Sequence, residues 1–121
     1  MRFILRADFD ERALVLTEEI PYGTMIWFSV GDADTILSAT EEACHLALEG
    51  LGGRRPLGLI AFDCVSRKCA LGAEGTAREV ALIENQAPET PLAGFYTYGE
   101  IARTRGINAY HNQTLVVLAL S

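Results

Sequence analysis

Residues that could bind or transform a ligand are concentrated between Gly94 and Thr114. This stretch holds a carboxylate, an imidazole, an amide, aromatic rings and two glycines, and its candidate residues are Tyr96, Tyr98, Gly99, Glu100, His111 and Asn112. The apolar runs 92–98 and 114–120 predict two strands, so most of these polar residues fall where strands end and loops begin. Loops on a rigid scaffold commonly carry ligand-binding groups, and we expect a site here.

Arg67 is the cationic candidate, and it follows the apolar run 57–62. Its planar guanidinium can hold a ligand carboxylate through two parallel hydrogen bonds. Glu100 can accept hydrogen bonds from a ligand ammonium, because Gly99 lets the backbone come close. Together the two residues would match both ends of an amino acid. The structural alternatives are that Arg67 forms a salt bridge to Glu79, Glu84 or Glu100, and that Glu100 caps a helix or pairs with Arg103 or Arg105.

His111 and Cys64 suggest two other chemistries. A neutral imidazole can be an axial ligand to haem iron, and such a haem would be non-covalent because no Cys-x-x-Cys-His motif is present. Cys64 could form a nucleophilic relay with His111 and either Asn112 or Glu100. A free cysteine is more often a small buried hydrophobe, and Asn112 can hold the turn into the last strand. We therefore predict no catalytic residue and no metal site. Cys64 is predicted instead to contact a bound ligand.

The elements that must position these residues follow from hydrophobic spacing. A helix is predicted from Asp32 or Asp34 to Gly50, where apolar residues recur at three and four, and a second helix at 76–85. Strands are predicted at 3–6, 13–17, 24–30, 57–62, 92–98 and 114–120, with 57–62 buried on both faces in the middle of a sheet. This order predicts an α+β fold: one mainly antiparallel sheet of about five to six strands, with two helices in a single layer on it.

Composition limits the classes of protein and partner. The chain has 121 residues, half of them hydrophobic, which predicts one domain spanning residues 1–121. A net charge of -6 argues against nucleic acid as a partner, since phosphate contacts need clustered Lys and Arg. The apolar runs are too short to span a bilayer, and no signal peptide is recognisable. With three cysteines in addition, we expect a cytoplasmic protein.

Three segments in the same order closely resemble a known family. They are Phe62-Asp63-Cys64-Val65-Ser66-Arg67 with Glu79 downstream, Gly94-Phe95-Tyr96-Thr97-Tyr98-Gly99-Glu100-Ile101, and His111-Asn112-Gln113-Thr114. They resemble the C-terminal half of FIST sensory domains. The resemblance implies a cytoplasmic signal-input module, in bacteria usually joined to an output domain, that binds small ligands such as amino acids. Some members resemble haem-based nitric-oxide sensors. The usual N-terminal half is missing from this sequence, so a site shared between the halves would be incomplete.

The sequence and the resemblance together predict a non-catalytic domain that binds a small molecule and signals to an output domain or partner protein. We predict no cofactor, with haem bound through His111 as the alternative. A protein-interaction or dimerisation module without ligand is a further alternative, and a homodimer is compatible with either reading. The predicted ligand-binding residues are Cys64, Arg67, Tyr96, Tyr98, Gly99, Glu100, His111 and Asn112.

Overall fold

A computed structural model describes residues 2–104 and 107–121 of the chain. In chain order the elements are β1 Ile4–Asp8, β2 Ala13–Leu16, α1 Ala33–Glu49, β3 Gly58–Cys64, α2 Val65–Gln86, β4 Leu92–Thr97, β5 Glu100–Thr104, β6 Ile107–His111 and β7 Leu115–Leu120. The α+β class is confirmed, as are the opening hairpin, the first helix and the strands near 57–62, 92–98 and 114–120. The arrangement of the strands differs from the prediction.

The first helix begins with a reciprocal cap. Asp32 accepts a hydrogen bond from the backbone N–H of Thr35 at 2.9 Å, while the Thr35 hydroxyl accepts from the N–H of Asp32 at 2.9 Å. This pairing satisfies two backbone donors at a helix end that would otherwise lack partners. It confirms Asp32 as the N-cap of α1, and Gly50 is the C-cap that ends the helix.

A three-stranded sheet in the order β4-β3-β7 forms the centre of the domain. β3 pairs in parallel with β4 and antiparallel with β7. α1 and α2 pack on one face of this sheet. The core between the helices and the sheet consists of Cys44, Leu59, Ala61, Ile83 and Ala87, all buried. β3 is therefore the central strand, as predicted. The prediction that it is buried on both faces is only partly right: its helix-facing residues are buried, whereas Ile60 and Phe62 on the other face are half-buried.

The second helix is longer than predicted and is interrupted. It begins at Val65, directly after β3, and is broken at Gly72, whose φ of 65° and ψ of -172° are open to glycine but strained for other residues. The prediction of a helix at 76–85 covered most of the second half only. Because no loop separates β3 from α2, the sequence pattern gave no sign of the change from strand to helix.

The prediction of one mainly antiparallel sheet is wrong. The described strands form three separate sheets: the β1-β2 hairpin, the mixed central sheet and the β5-β6 hairpin. The last hairpin was not predicted, because its polar and basic sequence lacks an apolar alternation. The strand predicted at 24–30 is also wrong, since these residues lie outside the described strands. Strand propensity depends on an available neighbour, and no described strand pairs with this segment.

Candidate functional site

A buried ionic cluster lies where β3 passes into α2. Arg67 Nε donates to Asp63 Oδ1 at 2.9 Å, and Arg67 Nη2 donates to Glu79 Oε1. Thr40 of α1 joins them, since its hydroxyl donates to Glu79 Oε1 and accepts from Arg67 Nη2, both at 2.7 Å. Arg67 is 4% exposed and Glu79 is 2% exposed. The guanidinium is thus already engaged by protein groups, which confirms the predicted alternative of a salt bridge between Arg67 and Glu79.

The charge of this cluster depends on Asp63. Two carboxylates share one guanidinium, so full ionisation would leave one uncompensated negative charge in the interior. Burial, reinforced by the charge of Glu79 and opposed by that of Arg67, raises the pKa of Asp63 to about 7. Near neutral pH, Asp63 therefore holds a proton for part of the time, and the cluster approaches electrical neutrality.

Glu100 forms a second buried network at the same end of the sheet. Its carboxylate accepts hydrogen bonds from the hydroxyl of Thr97 and from that of Thr114, the latter at 2.7 Å. The Thr97 hydroxyl also lies 3.1 Å from the main-chain oxygen of Asp63. Glu100 therefore ties the end of β4 to the start of β7, and its network borders the ionic cluster through Thr97.

Asn112 holds the neighbouring loops together. Its Nδ2 donates to the carbonyl of Tyr98 at 3.3 Å and to the Tyr110 hydroxyl at 3.1 Å, and its Oδ1 accepts from Thr17 at 2.6 Å. Tyr110 in turn donates to the carbonyl of Tyr98 at 3.0 Å. A Cβ on Gly99 would overlap the Tyr110 ring and hydroxyl, so the glycine is required by close packing. These contacts give Gly99 and Asn112 a structural role in joining three loops.

His111 pairs with Glu100 across the β5-β6 hairpin. Its Nε2 is enclosed and, among the described residues, has no hydrogen-bond partner. Burial lowers the pKa of His111, so the ring is neutral at neutral pH. An axial haem ligand needs open space in front of the coordinating nitrogen, whereas this atom is covered by protein. The described geometry therefore does not fit haem bound through His111.

Cys64 is buried at the junction of β3 and α2. Its Sγ lies 3.0 Å from the hydroxyl of Ser66, and its backbone N–H donates to the carbonyl of Thr114. The residue is 2% exposed. This environment suits the packing role of a free cysteine and offers a substrate little access to the sulfur.

A groove of about 320 Å³ opens beside these networks, between the second half of α2 and β4. Its lining is mostly apolar and includes three carboxylates; the residues are Ala61, Asp63, Glu79, Val80, Ile83, Glu84, Leu92, Ala93, Gly94, Phe95 and Tyr96. Gly94 allows β4 to lie close to β3 at this point, because a Cβ there would lie 2.5 Å from the carbonyl oxygen of Ala61.

One end of the groove carries a cation next to an aromatic ring. Lys68 Nζ lies 4.3 Å from the ring centre of Tyr96, a distance typical of a cation–π contact. Burial, followed by the charges of Asp63 and Glu79, raises the pKa of Tyr96, so its phenol stays protonated. The groove therefore offers acceptors, a phenol donor and, at its edge, an exposed ammonium.

Comparison with known proteins decides the family. The sequence model of the FIST C domain matches residues 1–103. The chain belongs to the FIST C domain family. This family is of the sensory type and is associated with signal transduction.

Mycobacterial proteins are similar to this FIST C domain along nearly its whole length. The uncharacterized protein Rv0628c of Mycobacterium tuberculosis (strain ATCC 25618 / H37Rv) is 31% identical over 117 residues, and so is the uncharacterized protein Mb0898c of Mycobacterium bovis. Each alignment covers 94% of this chain and 29% of the relative. The chain thus spans less than a third of the length of these relatives. No solved structure matches the chain. In the described part, no helix has the length and apolar character needed to cross a bilayer.

The structure brings most of the predicted residues of the FIST C domain to one end of the central sheet. Cys64, Arg67, Glu100 and Asn112 are buried there, and each is held by protein partners. Tyr96 is the predicted residue that lines the groove. Their ligand contacts stay predictions, since none of these contacts is tested by the geometry.

Three polar residues at the groove are absent from the predicted ligand-binding set. Asp63 ends a buried strand, Lys68 follows Arg67, and Glu84 lies one residue beyond Ile83 on the exposed side of α2. A carboxylate at the end of a predicted central strand was the available signal for Asp63. Lys68 and Glu84 could not be found in this way, because their proximity to β4 depends on the tertiary packing of α2.

Proposed function

We propose that this FIST C domain is the ligand-sensing part of a bacterial signal-transduction protein, and that it is not an enzyme. Its ligand is a small amine with an apolar body, above all an apolar amino acid, and it binds in the groove between α2 and β4. The observation that carries the proposal is the lining of this groove, where carboxylates and an aromatic ring stand among apolar walls. Ligand sites in general are concave, mostly apolar and equipped with a few polar groups.

The charges of the groove fit the two ends of an amino acid. Glu84, which is exposed, supplies the acceptor for an ammonium group. Asp63 and Glu79 also line the groove, but they are buried and engaged by Arg67. Lys68, beside the Tyr96 ring, can attract the ligand carboxylate. This assignment reverses the predicted one, in which Arg67 held the carboxylate and Glu100 held the ammonium. The reason is that Arg67 and Glu100 are buried and engaged, whereas Lys68 and Glu84 are exposed.

In this proposal the other predicted residues do not contact the ligand but hold the residues of the groove in place. Arg67 fixes Asp63 and Glu79 at the groove, and the contacts of Glu100 and Asn112 fix the end of β4 that carries Tyr96. Signalling then requires a ligand that binds one arrangement of α2 and β4 better than another and so shifts their populations. An attached or partner domain reads that shift.

The test is a thermal-shift screen with a matched set of compounds. L-leucine carries both charges, 3-methylbutylamine lacks the carboxylate, and 4-methylpentanoate lacks the ammonium. A ligand at a hundredfold excess over its dissociation constant stabilises the fold by about 2.7 kcal/mol, which raises the melting temperature by roughly 10 °C in a domain of this size. We expect leucine to stabilise most, the amine less, and the acid least. Stabilisation by the acid equal to that by leucine would contradict the role assigned to Glu84.

A further inference from the structure

Two parts of this chain could each pair with a further β-strand, and neither does so among the described residues. One is the segment 24–30, which we name the free strand segment. The other is the outer edge of β4, which we name the open edge. β4 stands at the end of the central sheet, and only β3 pairs with it among the described strands.

The free strand segment has the sequence Thr-Met-Ile-Trp-Phe-Ser-Val, which is rich in residues that favour strands. Its apolar side chains face solvent: Trp27 is 83% exposed, Phe28 is 71% exposed and Val30 is 98% exposed. Soluble proteins rarely leave such a contiguous apolar stretch uncovered unless it serves an interaction.

The open edge presents unpaired backbone groups. Leu59 donates its N–H to the carbonyl of Pro91 and faces Leu92 in the register, so Leu92 points its own N–H and C=O away from β3. The twofold period of a strand gives Gly94 and Tyr96 the same outward direction. Natural proteins protect such edges with charges or prolines, yet no residue from Leu92 to Thr97 is charged or a proline.

The two elements match each other in charge and in size. Each chain carries a net charge of -6, but neither the free strand segment nor β4 contains a charged residue, so two copies can meet there with little repulsion. Trp27 and Phe28 expose together roughly 300 Å² per copy. Counted in both copies, and with a similar area covered on each partner, the contact reaches about the 1,000 Å² that a specific interface needs.

We propose that this chain forms a homodimer by reciprocal strand addition. Residues 24–30 of each copy pair with the outer edge of β4 of the other copy, and the two-fold symmetry leaves neither element without a partner. The added strand also borders the groove between α2 and β4, because Leu92 and Tyr96 belong to both surfaces.

Sedimentation velocity of the 121-residue chain tests the dimer, with reductant present because Cys69 is exposed. We expect a species of twice the 13.2 kDa chain mass. Ala93→Lys places a charge on the open edge, and Trp27→Lys places one in the free strand segment. Each should raise the dissociation constant at least tenfold. The matched controls are Ala77→Lys on exposed helix surface and Phe9→Lys at an exposed turn, which should leave the dimer intact. A monomeric wild-type chain, or variants that dimerise as tightly as wild type, would overturn the proposal.

Hydrogen exchange followed by mass spectrometry shows which surface the dimer uses, and it does so without mutation. On passing from dilute to concentrated protein, the amides of residues 24–30 and of Leu92, Gly94 and Tyr96 should become protected together. Protection of another surface, with these amides unchanged, would show a different dimer and would likewise overturn the proposal.

Discussion

Arg67 and Glu79 form a buried ion pair across the interruption of α2 at Gly72. The two residues lie in different halves of the helix, and the pair therefore fixes the halves relative to each other. Asp63 of β3 and Thr40 of α1 bind the same guanidinium. One side chain thus connects the central sheet with both helices, and the groove between α2 and β4 lies next to this connection.

Removal of that guanidinium should strongly destabilise the fold. Arg67→Ala leaves Asp63 and Glu79 buried without a cation, and breaking a buried pair in this way costs about 3–5 kcal/mol. Urea unfolding followed by circular dichroism measures the change. Arg78→Ala, on the exposed surface of the same helix, is the control and should stay within about 0.5 kcal/mol of wild type. A loss below about 1 kcal/mol for Arg67→Ala would mean that the cluster is not a stabilising centre.

The stability of the protein should fall as pH rises toward neutrality because of Asp63. Its pKa is raised to about 7 in the folded state, so between about pH 4 and pH 7 the folded chain holds a proton that the unfolded chain has released. The free energy of unfolding therefore decreases across this window and levels off above it. Asp63→Asn lacks this proton.

The comparison of wild type with Asp63→Asn isolates the effect. Between pH 5 and pH 8 the unfolding free energy of the variant should rise relative to that of wild type by roughly 3 kcal/mol. Asp10→Asn makes the same chemical change in the exposed turn after β1 and is the control for Asp63→Asn. Parallel stability curves for wild type and Asp63→Asn would show that Asp63 is ionised throughout.

The cysteines should differ sharply in reactivity. Cys69 is exposed, whereas Cys64, the last residue of β3, is 2% exposed. We expect iodoacetamide to label Cys69 in the native protein and Cys64 only after unfolding, as read by mass spectrometry of peptides. The Cys69→Ser variant should then show almost no native labelling. Rapid labelling of Cys64 in the native protein would instead favour the alternative in which Cys64 is the nucleophile of a catalytic relay.

Local sequence patterns predict the helices and strands whose own residues have the required hydrophobic spacing or cap. The spacing of apolar residues and Asp32 identified α1, and continuous apolar runs identified β3 and β7. The start of α2 is not predicted, because the chain passes directly from β3 into the helix at Val65, without a turn that would mark the boundary. The segment 24–30 was predicted as a strand because its composition favours one, but pairing needs a neighbour that the described strands do not supply.

The candidate site was predictable in part. Resemblance to the family identified the strand ends that converge, and the salt bridge between Arg67 and Glu79 was one of the alternatives. Sequence could not show which polar residues would be buried and engaged, because burial depends on how α2 folds back on β4. Hence Arg67 is among the predicted ligand-binding residues although it is buried, whereas Lys68 and Glu84 are absent from them.

The central claim is that an apolar amino acid binds between α2 and β4, and isothermal titration calorimetry with L-leucine tests it most directly. Glu84→Gln removes an exposed charge at the groove and should weaken binding about fivefold, equivalent to about 1 kcal/mol. Tyr96→Ala should weaken it further, by tenfold or more. Glu74→Gln, on the same helix but away from the groove, should bind like wild type. Absence of leucine binding to the wild-type chain, or binding that neither groove substitution weakens, would contradict the account.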